Sequence, residues 1–348
     1  MSAPHEPVSA RDSELWAAVG RLVERAPSLA DLASHRLELF AARRWREQGK
    51  PVPAEIVDQE RRAAIATLTA PVVLSRVREA YDGAIVPIKG LEVARLYPDS
   101  ALRLFGDLDV IVDDAAKAQA ALLAAGFEEI GDPALFVDIH HLRPVQRPEL
   151  PLAVEIHSRP KWVDGLSAPP TSELLASARP DANGIGILPP AQHAVLLAVH
   201  SWAPEPLRRL RDVIDVAVML EVAGHDDAAA VARSWGVEDL WRSTTDVIEA
   251  VLHGGRRPWS LRLWAQNLER TRERTVLENH LQRWLSDFWI LPSGKAARGL
   301  PGTLRRELGP AGDEGWRSKL TRSARAVRNA SRRRSEHDEQ LAQGRRRS

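Results

Sequence analysis

The stretch "IKGLEVARLYPDSALRLFGDLDVIVDD", residues 88–114, decides how this chain is read. It contains "DLDVIV" (107–112), a short β-forming run in which acidic and apolar residues alternate. In a strand, positions i and i+2 share a face, so Asp107 and Asp109 project together while Leu108, Val110 and Val112 point to the core. Two carboxylates held side by side repel, and the pair is tolerated when a cation lies between them or one takes up a proton. A divalent metal meets the first condition. Magnesium in particular is held by a few carboxylates together with water and phosphate oxygens.

A third acid follows downstream in "LAVEIHS" (152–158). Leu152, Val154 and Ile156 face the core there, which puts Glu155 and His157 on the other face, the same alternation as in the aspartate strand. With the two strands as neighbours, Asp107, Asp109 and Glu155 converge on one edge of the sheet. His157 has three functional readings, as a base toward an acceptor, a partner to Glu155 or a phosphate contact, beside the plain one of a packing histidine. Upstream, "AIVPI" (84–88) runs into Lys89-Gly90 and then the helical "LEVARLY". A glycine that permits close approach, free amides at a helix start and an adjacent lysine together make a phosphate cradle. Metal-binding carboxylates facing such a turn point to phosphoryl or nucleotidyl transfer, commonly with two ions about 3.5–4 Å apart.

Around this centre the 348 residues divide by pattern. Residues 1–82 read as an N-terminal helical region, with Leu15, Val19 and Leu22 at helical spacing and Ser28 with Asp31 as a capping box before "LASHRLELFAARRW". Pro51 and Pro53 precede a further helix over roughly 54–80. Residues 83–165 form the mixed α/β core, with added strands at "FEEI" (127–130) and "FVDIHH" (136–141) and a helix in "DAAKAQAALLAAG". That helix has Asp113 or Asp114 as N-cap and Gly126 after its end. Residues 166–315 are helical again, including "PPAQHAVLLAVHSW", "PLRRLRDVIDVAVMLEV" and "DDAAAVARSWG". The arginine-rich residues 316–348 have too few apolar side chains to bury a core and are expected to lack a fixed fold. The fold class is therefore α+β, a small mixed sheet flanked by helices with helical regions on either side.

Several chemistries are set aside by composition. With no cysteine there are no disulfides, thiolate zinc sites or thiol nucleophiles, which fits a reducing, cytoplasmic setting. No apolar run is long enough to span a bilayer, and a formal charge of +1 gives no global pull toward nucleic acid. His140-His141 lacks a third ligand nearby in sequence for zinc, and "HGGRRPW" (253–259) reads as a turn between helices. The 11 tryptophans are expected in the core. The basic tail is either a solvated run or a contact to RNA, DNA or an anionic surface.

The segments "PIKG" (87–90), "RLFGDLDVIV" (103–112), "AAGF" (124–127) and "VEIHSRP" (154–160) together resemble a bacterial family of uncharacterised nucleotidyltransferases within the DNA polymerase beta-like superfamily. The likeness extends more weakly into "LPPAQHAVLLAVH" (188–200) and "LRRLRDVIDVAVML" (207–220). It implies the polymerase beta-like sheet, with the metal-binding acids on Asp107, Asp109 and Glu155, and His157 added to the catalytic set. Nucleotide contacts fall on Lys89, Gly90, Arg103, Gly106, Arg159 and His200. The implied cofactor is Mg2+, two ions, with a nucleoside triphosphate as co-substrate. The implied reaction moves a nucleoside monophosphate to a hydroxyl or phosphate acceptor on a small molecule, sugar, peptide or protein, releasing pyrophosphate. Two alternatives stand beside it: a toxin-like enzyme that modifies tRNA, to which the basic tail would bind, and a non-catalytic nucleotide-binding module. Where most of the superfamily follows the turn glycine with glycine or serine, this chain has Lys89-Gly90-Leu91, and Lys89 takes the place of the missing hydroxyl.

Overall fold

The alternating runs become five strands: β1 (Ile85–Pro87), β2 (Asp107–Val112), β3 (Glu128–Glu129), β4 (Val145–Gln146) and β5 (Ala153–His157). The computed structural model of the chain describes residues 10–136, 140–203, 205–310 and 315–335. The strands form one sheet in the order β1-β2-β5-β4-β3, in which β2 and β5 run parallel and every other pair is antiparallel. Pro87 lacks an amide hydrogen, and β1 is an edge strand, where that loss is tolerated. The β2–β5 register sets Asp107 opposite Ala153, Asp109 opposite Glu155 and Ile111 opposite His157. Leu108, Val110 and Val112 of β2 join Leu152, Val154 and Ile156 in one buried core. "FEEI" yields only the two-residue β3, and β4 went unanticipated. Of "FVDIHH", residues 137–139 lie outside the described residues, while His141 pairs with His157 as an isolated bridge.

The helices that precede the sheet are α1 (Ala10–Arg25), α2 (Leu29–His35), α3 (Glu38–Glu47) and α4 (Ala54–Ala80). Ser28 caps α2 through the Asp31 amide. The helix expected to run through "LASHRLELFAARRW" is broken at Arg36, whose φ of 60° ends α2. Tertiary hydrogen bonds explain the break. His35 Nε2 donates to the Arg272 carbonyl at 2.8 Å and its Nδ1 accepts from Leu210 N–H. Asp31 accepts from Glu273 N–H and Arg333. Ala70, Val73, Leu74 and Val77 of α4 pack on the sheet core. After β1 come α5 (Leu91–Ala94), shorter than expected, and, beyond β2, α6 (Ala115–Ala124). Asp114 caps α6 through the Lys117 amide at 2.9 Å, and Asp113 instead accepts from the Tyr81 hydroxyl at 2.7 Å.

Downstream lie α7 (Thr171–Ser177), a two-strand ladder of β6 (Arg179–Pro180) and β7 (Gly186–Ile187), α8 (Pro190–Trp202), α9 (Leu210–Ala223), α10 (His225–Ser234) and α11 (Glu238–Val251). Pro190 opens α8 as expected, whereas α9 begins at Leu210, after Leu207 at φ 43°. Further helices are α12 (Trp259–Trp264), α13 (Gln266–Glu269), α14 (Val276–Leu285), α15 (Asp287–Ile290), α16 (Ser293–Leu308) and α17 (Trp316–Arg328). The arginine-rich end thus carries helix α17 over part of the segment expected to lack a fold, and Arg333 and Arg334 pair with Asp31 and Glu205. Ion pairs supply there what apolar side chains do not. Residues 336–348 lie outside the described residues. The chain groups into two compact units, one of Glu38–Ala203 with Ile214–Gly236, which holds the sheet, and the other of the described residues among 1–37, 204–213 and 237–348.

Inside the sheet unit, Arg103 and Asp215 form a buried two-pronged pair, Nε to Oδ1 at 2.8 Å and Nη2 to Oδ2 at 2.7 Å, and the Tyr97 hydroxyl donates to Asp215 Oδ1 at 2.6 Å. Removing one partner strands a buried charge, whereas replacing both by apolar groups does not. Asp215→Ala is expected to lose about 3–5 kcal/mol of stability, read as a shift of the urea midpoint. The double variant Arg103→Met with Asp215→Leu is expected to recover most of that loss.

Candidate active site

The parallel β2–β5 pair builds the site directly. Because β2 and β5 are in register at Asp109 and Glu155, these two side chains rise from the same face, two residues before the Ile111–His157 pair. One ligand atom each of Asp109, Glu155 and His157 lie within 4.8 Å of one another, the group among the described residues with a metal-binding spacing. His157 is fully buried, and its Nε2 donates to Asp109 Oδ1 at 3.0 Å. Glu155 Oε2 lies 3.8 Å from the same nitrogen and 3.9 Å from His141 Nε2.

The electrostatics follow from this crowding. Burial pushes the Asp109 carboxyl upward, but the His157 hydrogen bond and the nearby Lys89 charge outweigh it and hold Asp109 well below the usual carboxylate range. Asp109 is therefore the ionised member. Glu155 goes the other way, pushed up to about 7 by burial first and then by the Asp109 and Asp107 charges. One carboxylate fixed as an anion beside another driven toward protonation is how like charges share a site that is short of positive charge. A divalent cation would supply that charge, and two carboxylates with a third close enough to be felt are a donor set suited to one.

Beside the acids stands the Lys89-Gly90 turn. Gly90 has φ 67° and ψ −116°, a conformation closed to side chains other than glycine's, and a Cβ there would lie 3.4 Å from the Asp107 carbonyl. The turn is gripped from two helices. His193 of α8 donates from Nε2 to the Ile88 carbonyl at 2.9 Å, and Arg103, held by Asp215 of α9, donates to the Gly90 carbonyl at 3.2 Å. Lys89 Nζ hydrogen bonds to Nε2 of His200 on α8. Burial, then the Lys89 charge, drive His200 well below the ordinary histidine range, so the neutral ring accepts from the ammonium.

Asp109, Glu155, His157 and Lys89 come together, and Asp107 reaches the group through its field on Glu155 while its side chain lies outside the 4.8 Å set. Gly106 and Arg159 are exposed. Arg103, expected as a nucleotide contact, is instead only 3% exposed and bound to Asp215 and the Gly90 carbonyl, so it shapes the turn from beneath. His200 likewise contacts Lys89. His193 and His141 were missed. His193 is a buried polar residue at the start of the apolar run of α8, and the structure spends it on the Ile88 carbonyl. His141 was set aside for want of a third ligand in sequence, and the bridge to His157 brings Glu155 to it across the fold.

No curated protein and no solved structure matches the chain. A family profile does, over residues 27–253, a span that takes in the whole of the sheet, the Lys89-Gly90 turn and the helices that grip it. This chain belongs to the family described as uncharacterised nucleotidyltransferases.

Proposed function

We propose that the protein is a divalent-metal-dependent nucleotidyltransferase that moves a nucleoside monophosphate from a nucleoside triphosphate to a hydroxyl or phosphate acceptor and releases pyrophosphate. The observation that carries this reading is the register of Asp109 against Glu155 beside a lysine-bearing glycine turn. Asp107, Asp109 and Glu155 would hold the cation, magnesium by the chemistry of a carboxylate site. When bound, it supplies charge neutralisation on the phosphate oxygens and lowers the pKa of an acceptor hydroxyl.

The chain's own residues have the following parts. His157, buried and donating to Asp109, fixes the orientation of that carboxylate. Lys89 presents its ammonium to the triphosphate, where the missing serine hydroxyl would have donated a weaker, neutral hydrogen bond. Glu155, on the same face as Asp109, accepts the acceptor's proton. The acceptor oxygen bonds to the α-phosphorus as the bond to the β-phosphate's bridging oxygen breaks, and pyrophosphate departs with that electron pair. Gly106, just before Asp107, is exposed, and a Cβ there would meet nothing within 4 Å, so the space in front of it is open.

Labelled nucleoside triphosphates incubated with the protein and a cell extract, with products identified by mass, test the activity. Asp107→Asn and Asp109→Asn are expected to lower metal-dependent transfer by about 10³-fold or more with an unchanged circular dichroism spectrum, and full activity in both would refute the assignment. Lys89→Ala is expected to raise the KM for the triphosphate about tenfold, with a smaller effect on kcat, as loss of a charged phosphate contact requires.

Glu155 also gives a pH dependence in protein stripped of divalent ions. Its folded pKa of about 7 lies above the ordinary 4.5, so between these values the folded state binds more protons than the unfolded state. The contribution of Glu155 to stability therefore falls as pH rises from 4.5 to 7 and levels off above it, while His35 and His193, whose folded values burial lowers to about 4, contribute in the opposite sense over much of that window. Glu155→Gln is expected to remove that contribution, so that the stability difference between wild type and variant in urea titrations varies with pH across the window, and a difference independent of pH would show that Glu155 does not carry it.

A further inference from the structure

We propose that α17 is an interfacial helix that lies on an anionic lipid surface, with the apolar stripe of Trp316, Leu320 and Val327 in the acyl boundary and arginines on the headgroups. This surface belongs to the compact unit that does not hold the sheet, and it owes nothing to the metal site.

The helix is turned the wrong way for one that only packs. A surface helix of a globular protein buries its apolar stripe and gives its charges to water. Here Lys319 is buried, as is Asn329 just beyond the helix, whereas Trp316, Leu320 and Val327 are 63%, 65% and 76% exposed. Spacings of four and seven put these three on one face, and the exposed Ala324 lies between them. The backbone that follows the helix is pinned: Leu277 N–H of α14 donates to the Ala330 carbonyl and Val276 N–H to that of Arg332, both at 3.0 Å, and Arg333 is paired with Asp31. Leu277, itself 48% exposed, adds to the apolar surface at that end.

The charges decide what covers the stripe. The 13 residues of α17 include Arg317, Lys319, Arg322, Arg325 and Arg328 and no acid. Eleven residues complete about three helical turns, so Trp316 and Val327 line up in one row and Arg317 and Arg328, both exposed, in the row beside it. An apolar row flanked by arginine, with a tryptophan at one end, is the composition of a helix that lies in the interface plane, where anionic headgroups answer the cations and the apolar side chains enter the acyl boundary. Phosphates of a nucleic acid would answer the arginines but not Leu320 and Val327. A protein partner needs about 800 Å² on each side, more than one outward row on a single helix supplies. Residues 336–348 have only Leu341 and Ala342 as apolar side chains, too few to cover it. The helix lies on the surface rather than crossing it, since no helix among the described residues is long and apolar enough to span a bilayer.

The test is flotation of the full chain with vesicles of phosphatidylcholine alone and of phosphatidylcholine mixed with phosphatidylglycerol, at low and high salt. Wild type is expected to float with the phosphatidylglycerol vesicles only, and less so as salt screens the headgroups. Leu320→Asn with Val327→Asn is expected to lower the partition coefficient about 100-fold, and Arg317→Gln with Arg328→Gln about 30-fold. Circular dichroism should be unchanged in both, since all four side chains are exposed. Phosphatidylglycerol brominated on its acyl chains should quench more fluorescence in wild type than in Trp316→Phe, which would put that ring below the headgroups. Failure to float with the anionic vesicles would overturn the proposal, as would flotation that survives the Leu320 and Val327 double substitution, which leaves charge alone as its cause. A wild type that dimerises in sedimentation velocity without lipid affinity, and that Leu320→Asn makes monomeric, would assign the stripe to a second copy and overturn it. Binding of poly(U) RNA in preference to the anionic vesicles would assign the helix to nucleic acid and overturn it likewise.

Discussion

Asp109 and Glu155 face each other across neighbouring parallel strands, on a sheet whose opposite face is the apolar core. Two unit charges within 4.8 Å repel by about 3–4 kcal/mol at an effective dielectric of 20. That is a large fraction of a domain's net stability. Such a pair persists because the surroundings answer it: the His157 hydrogen bond and the Lys89 ammonium stabilise Asp109, while Glu155 is driven toward its protonated form. The rest of the sheet unit serves to hold these groups in place, with α8 and α9 supplying the side chains that fix the lysine turn.

The acids were legible in the sequence because a strand's period is short and rigid. Alternation in "DLDVIV" and "LAVEIH" assigns each side chain to a face without knowledge of anything distant, and the observed core residues are those the alternation names. The parallel pairing of β2 with β5 is a different kind of fact, since it joins segments more than 40 residues apart in sequence, and no local pattern states it. Helix caps were equally local: Ser28 and Asp114 are found where the sequence sets them.

What sequence did not show was decided by long-range partners. Arg103 looked like any loop arginine until Asp215, 112 residues away, closed on it. Once buried with that partner it has its donors on the carboxylate and the Gly90 carbonyl, which turns a supposed phosphate contact into a support for the turn. Arg36 is similar. Local propensity favours helix through "LASHRLELF", but the hydrogen bonds of Asp31 and His35 to residues 272 and 273 fix the end of α2 and force the left-handed break. Intrinsic helix preference is worth a few tenths of a kcal/mol per residue, less than a buried hydrogen bond to a charged group. At the arginine-rich end, composition argued against order, yet the carboxylates of Asp31 and Glu205 meet Arg333 and Arg334.

The lysine in place of a serine now has a physical account. A serine hydroxyl positions itself, having one rotatable bond and a short reach. A lysine ammonium sits at the end of four, and a partner must fix it in place. His200 does so: its ring is neutral because burial and the Lys89 charge itself disfavour protonation, and a neutral ring nitrogen accepts from the ammonium where a charged one would repel it. His193, driven by burial to a pKa of about 4, is likewise neutral and donates to the carbonyl of Ile88, while Arg103 takes that of Gly90. With the backbone fixed on both sides of Lys89 and its tip tethered, the flexible cation becomes a positioned one. The same tether keeps its charge close enough to Asp109 to help hold that carboxylate ionised. The turn and the acids are therefore one electrostatic unit, and the departure from the serine pattern is compensated within it.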